Sequence, residues 1–196
     1  MKKLSTYLFL IFFSFQTSSL ADDIRDFQIE GMSIGDSLLD YLSKEEITTG
    51  IERTKPAYNY LTDEFGEVYL HDKFETYDQL SFKVKPNDNN YIIYSIKGSI
   101  SYDDKLEQCF AKQKEIVEEF SALYKNARKV EETPVFPFDP TGKSKSHSII
   151  FIFDSGDEIK VACTEYKKSL KIENNWEDSL QIVIAKKEVI AWLRNY

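Results

Sequence analysis

Two cysteines, Cys109 and Cys163, are the most chemically specific residues in this 196-residue chain. Cys109 lies in EQCFAKQKEIVEEF, where apolar residues recur at helical spacing; Cys163 lies in EIKVACTEY, where they alternate as in a strand. By phase, Cys163 shares a strand face with Ile159 and Val161, and Cys109 falls inside the apolar arc of the helix. Both thiols are therefore expected in one helix-on-sheet layer. In an exported chain, two such cysteines are expected to pair as a structural disulfide. Two separate buried thiols are one alternative. A redox-active pair is the other, and it would want C-x-x-C spacing at a helix start, which this pair lacks.

Other reactive residue types are sparse. His71 and His147 are the only histidines, and neither has a carboxylate or a second histidine at metal-ligand spacing. Gly142-Lys143-Ser144 has the ending of a phosphate-binding loop, yet the first glycine of that motif would fall on Pro137. The pairs Asp103-Asp104 and Asp22-Asp23 read as a helix cap and a cleavage-site flank. FDSGDEI and FDPTGKS lack the ligand ladder of a calcium loop. No catalytic residue, metal site or cofactor is expected, and the chain is expected not to be an enzyme.

The N-terminus, MKKLSTYLFLIFFSFQTSSLADD, carries two lysines, an apolar run and then Ser19-Leu20-Ala21, the pattern of a secretory signal peptide cleaved after Ala21. A spanning helix would need about 20 apolar residues, and QTSS cuts this run short. With no cysteine near the cleavage site there is nothing to lipidate, so a soluble periplasmic or secreted protein without a stable membrane anchor is expected. Loss of residues 1–21 would leave 175 residues, enough for a single domain over 22–196. That segment contains Lys2 and Lys3 and no acid, so the formal charge would move from −8 to −10. Such a surface disfavours nucleic acid and anionic headgroups as partners.

The elements that must position the cysteines follow from periodicity. Short helical pieces are expected over 36–49, with Ser43 and Glu46 as a capping box and Gly50 as the stop. EVYLH, QLSFKVK and YIIYSIKGSISY alternate with period two and read as three strands, the last two a hairpin around PNDNN. A long helix follows to about Lys125, capped by Asp103 or Asp104. ARKVEETPVFPFDPTGKSKS reads as a loop. HSIIFIF, apolar on both faces, is expected to be a central strand, followed by EIKVACTEY, the polar connection KKSLKIENNWED, SLQIVIA and a last helix, KKEVIAWLRN. The fold class is α+β: a mostly antiparallel sheet of about six strands with the long helix on one face, in the order α-βββ-α-βββ-α.

Tyr69, Tyr91 and Ile93 interrupt the polar phase of their strands and mark a candidate interaction surface on the outer face of the sheet. The alternative is that the Pro-rich loop, or the last helix with Trp192, covers that face.

DIRDFQIEGMSIGDSLLDYLSKEEI, the cysteine-bearing helix and VACTEY together resemble small exported proteins of Pelagibacter-type marine alphaproteobacteria. The resemblance implies export and no particular activity. GMSIGDS leading into a helix and a meander is similar in outline to the SmpA/OmlA domain, but this chain has no lipidation cysteine and shows the meander twice. The expected function is a non-enzymatic module that binds another envelope protein; the alternatives are a periplasmic small-molecule binder and a hydrolase.

Overall fold

The computed structural model describes residues 24–58, 61–71 and 74–194; the expected signal segment lies outside them. A two-stranded hairpin, β1 (Gln28–Ile29) and β2 (Met32–Ser33), leads into a 3-10 turn and helix α1 (Lys44–Thr54). Strands β3 (Gly66–Leu70), β4 (Gln79–Val84) and β5 (Ile93–Ser101) form a meander, and helix α2 (Leu106–Leu123) follows. A second meander, β6 (Arg128–Glu132), β7 (Lys145–Ile152) and β8 (Glu158–Glu165), precedes helix α3 (Lys168–Asn174), β9 (Ser179–Ala185) and helix α4 (Lys187–Arg194). Among the described residues nine strands form two sheets, the larger with seven antiparallel strands in the order β3-β4-β5-β9-β8-β7-β6. The α+β class therefore holds, while the six-strand estimate was low and the element order differs.

The differences have physical causes. RKVEE was expected to be loop but forms the edge strand β6, with Val130 paired to Ile150. One apolar residue among four charges carries almost no hydrophobic signal, and charged edges are how sheets avoid further pairing. HSIIFIF is one strand in from that edge; β9 takes the centre, so the two meanders flank it on either side. Lys168–Asn174, expected to be connection, is a short helix that buries none of its residues. Helix α1 runs past Gly50, whose hydrogen faces Val68: a Cβ there would sit 2.9 Å from Val68 Cγ1. That glycine permits close packing on β3 and does not stop the helix. The Ser43–Glu46 capping box is present as expected.

One face of the large sheet is apolar. Leu80, Phe82, Ile96, Ile159, Val161, Leu180 and Ile184 are fully buried there. Helix α2 packs on it through Cys109, Ile116, Val117 and Phe120. The Phe120 ring meets Phe27, Tyr124 and Phe151 edge-on at centroid separations of 5.2, 5.8 and 5.9 Å, the arrangement that ring quadrupoles favour. Gln113 is also buried under this helix, its amide donating to the carbonyls of His147 at 2.7 Å and Val161 at 3.0 Å. On the other face, α4 sets Val189 and Trp192 against Phe65, with Tyr58 and Tyr94 alongside, and Trp192 Nε1 donates to the Thr62 carbonyl.

Candidate functional site

The disulfide is formed. Cys109 and Cys163 are bonded with Cα atoms 6.0 Å apart, both fully buried between α2 and β8. Neither sulfur is exposed to exchange, so the pair acts as a staple.

The expected surface of Tyr69, Tyr91 and Ile93 does not exist as a unit. Ile93 is fully buried and pairs with Val84, because a bulge at Tyr94 inserts one residue opposite the Lys83–Val84 step. The extra residue turns Ile93 to the helix-covered face, which strict alternation cannot foresee. Tyr91 sits in the preceding turn with φ 45° and is buried in the main core. Tyr69 alone lies on the outer face, its ring stacked near His71 and under the ammonium of Lys97, which is 4.9 Å from the centroid.

That outer face is polar, and much of it is buried. The register places Tyr69, Ser81, Lys97, Val183 and Lys160 in one row, and Glu67, Lys83 and Ser95 in the next. Glu67, 1% exposed, is its electrostatic centre. Its carboxylate accepts from Ser81 Oγ at 2.6 Å and from the Tyr58 hydroxyl, with Lys83 Nζ at 3.0 Å and Lys97 Nζ at 3.7 Å. Burial alone would push the Glu67 carboxyl up; Lys83, Lys97 and the two hydroxyl donors outweigh it and hold the group below the usual carboxylate range. Burial in turn pulls Lys83 and Lys160 below the usual lysine range.

A second feature lies at the end of the outer face. Phe136, Phe138, Tyr166 and Trp176 form a contiguous stack: Phe136 to Phe138 is 5.0 Å, Phe136 to Tyr166 5.6 Å, Tyr166 to Trp176 5.0 Å and Phe138 to Trp176 5.2 Å. Phe138 is 49% exposed and Trp176 37%, with Val135 also exposed. Beside Tyr166 opens a cleft of about 610 Å³ lined by Lys143, Lys145, Lys167 and Lys168 with Glu165 and Asp178. Lys145 pairs with Glu165 at 3.3 Å; the other three lysines have no ion pair among the described residues. The loop carrying Phe138 is fixed by Asp139, which accepts from the Thr141 hydroxyl and from the Thr141 and Ser144 amides. Those hydrogen bonds hold its carboxyl below the usual range. Ser144 is fully buried, its hydroxyl accepting from the Lys167 amide, so the Gly142-Lys143-Ser144 turn is structural.

The remaining sequence candidates are placed as follows. Asp103 and Asp104 do not cap α2, whose N-cap is Lys105 without a side-chain bond. With Asp178 they surround Lys171 Nζ, which bonds Asp104 at 3.2 Å, Asp178 at 3.1 Å and also Asp103. The three carboxylates stand close enough to ligate a cation, but the ammonium fills that position. Burial would lower the Lys171 pKa; the hydrogen bonds it donates to Asp103, Asp178 and Asp104 raise it above the usual range. His71 is exposed. His147 packs edge-on against Phe110, with Nε2 3.8 Å from Glu165, too far for a hydrogen bond. Sequence reading missed the aromatic stack and the lysine face. The first was visible as Phe136 and Phe138 two apart between prolines; the second as Ser, Thr and Lys at alternate positions of several strands with a single Glu67 among them.

No helix among the described residues is long and apolar enough to cross a membrane. No family model, curated protein or solved structure matches this chain.

Proposed function

We propose that the chain is a non-enzymatic binding protein of the bacterial envelope whose partner is a protein segment carrying apolar side chains next to acidic ones. The observation that carries this reading is the four-ring cluster of Phe136, Phe138, Tyr166 and Trp176, which leaves Phe138 and Trp176 exposed beside half-buried Phe136 and Tyr166. Exposed contiguous aromatics are what protein-binding surfaces present, and Trp and Tyr dominate binding hot spots. Lys143, Lys167 and Lys168 flank the stack in a chain whose net charge is −8, so the local field favours an acidic partner over a second copy of this acidic protein.

The test is co-purification from the envelope of the source organism. Partner recovery is expected to fall at least about tenfold in Phe138→Ser/Trp176→Ser, since hot-spot aromatics contribute 2 kcal/mol or more each. A smaller loss, one that shrinks as salt screens the charges, is expected for Lys143→Glu/Lys168→Glu. Recovery of the same proteins by wild type and the aromatic double variant would refute the reading.

A further inference from the structure

The outer face of the sheet holds more positive charge than its own acids neutralise. Lys83 and Lys97 share the single buried carboxylate of Glu67. Lys160 has no ion pair or hydrogen bond among the described residues; the acids whose charge acts on it are Glu132 on β6 and Glu158, which bonds Arg194 at 3.0 Å. Lys97 and Lys160 pair with the two sides of Val183 in the same register row. Their backbones are two strand spacings apart, about 9.6 Å, a gap two lysine side chains can close around one small group.

The floor between them is Val183, and the next row along is Ser99, Gln181 and Ala162. Ser99 follows Lys97 on the same face of β5, and Ala162 follows Lys160 on the same face of β8; both are buried. Ser99, 9% exposed, has a hydroxyl with no hydrogen-bond partner among the described residues. A buried hydroxyl left unpaired is costly, as is a shielded ammonium without a counter-charge. A ligand that accepts hydrogen bonds and carries negative charge satisfies both.

We infer that this face binds the oxyanion of a small acidic molecule, a carboxylate or a phosphate, between Lys97 and Lys160, with the Ser99 hydroxyl as a further donor. Glu67 does not close the site: the Tyr58 and Ser81 hydroxyls and Lys83 engage that carboxylate closely, Lys97 stands 3.7 Å from it and 3.4 Å from the Tyr69 hydroxyl, and Lys160 is outside this group. The site is separate from the aromatic stack and stands or falls independently of the proposed partner.

The experiment follows the lysine Nζ resonances of the purified chain by NMR during titration with inorganic phosphate and, separately, with succinate, using sodium chloride at matched ionic strength as reference. Saturable shifts of Lys97 and Lys160 are expected with at least one oxyanion. Phosphate alone would assign a phosphoryl ligand, succinate alone a carboxylate. Lys160→Met is expected to weaken binding roughly tenfold or more, and Ser99→Ala roughly three- to tenfold. Lys160→Arg retains binding, and Lys114→Ala, on the exposed side of α2, leaves it unchanged. Should Lys160→Met fail to fold, the wild-type titration and Lys160→Arg decide. Unmoved Lys97 and Lys160 resonances with both oxyanions, or equal binding by wild type and a folded Lys160→Met, would overturn the inference.

Discussion

Cys109 on α2 is bonded to Cys163 on β8, 54 positions further along the sequence, with 6.0 Å between their Cα atoms. This bond fixes the long helix over β8, beside the central strand β9. In the chain-entropy model a loop of this length is worth about 4 kcal/mol. Reduction is expected to lower stability by roughly 2 to 5 kcal/mol without changing the fold. Cys109→Ala and Cys163→Ala should each show a similar loss, and the double variant no more than either, because one substitution already breaks the bond. Urea midpoints with circular dichroism check this; two titratable thiols in the unreduced, denatured protein would contradict it.

Glu67 is the keystone of the outer face. Glu67→Gln would leave Lys83 and Lys97 shielded from water without their carboxylate, and breaking a buried pair in this way costs about 3 to 5 kcal/mol. Restoring balance with Glu67→Gln/Lys83→Met should recover part of that loss. A Glu67→Gln variant as stable as wild type would mean that solvent, and not Glu67, balances these lysines.

Acid should erase the difference. The Glu67 carboxyl titrates below its ordinary value of 4.5 in the folded state, so the unfolded chain takes up the proton first as pH falls. Its contribution is fully present above about pH 4.5 and disappears as pH drops toward the lowered folded value. The stability gap between wild type and Glu67→Gln is therefore expected to be constant near neutrality and to narrow below pH 4.5. A gap independent of pH across that range would exclude the mechanism.

Much of this arrangement was legible from phase alone. The two cysteines, the Ser43–Glu46 capping box and the alternation in EIKVACTEY and SLQIVIA each state a local preference that the fold keeps. What stayed hidden depends on partners distant in sequence. The bulge at Tyr94 reverses the facing of Ile93, and nothing in YIIYSIKG announces it. Strand β6 is held by pairing with β7 rather than by its own side chains. Ser81, Ser95 and Glu67 alternate with apolar residues and so resemble a wet face, yet all three are buried; alternation reports polarity, not exposure.

Lys171 occupies the position a cation would take among Asp103, Asp104 and Asp178. Lys171→Ala should lose about 1.5 to 3 kcal/mol, the range for hydrogen bonds to charged groups, because three acids then face one another unbalanced. Millimolar calcium should restore part of the melting temperature of this variant and leave wild type unmoved, since oxygen ligands at this spacing suit a hard cation. Calcium stabilising both proteins equally would show that the ammonium does not hold the site.

The central claim is that a partner docks on the ring stack, and photo-crosslinking inside living cells tests it most directly. A benzophenone amino acid is placed at Trp176, at Phe138, and at Lys114 on the exposed side of α2 as a control. The account predicts one discrete adduct shared by positions 176 and 138, absent at 114 and reduced in yield, most at low salt, when Lys143 and Lys168 are replaced by glutamate. Adducts of the same identity and yield at all three positions, or none at 176 and 138, would contradict it.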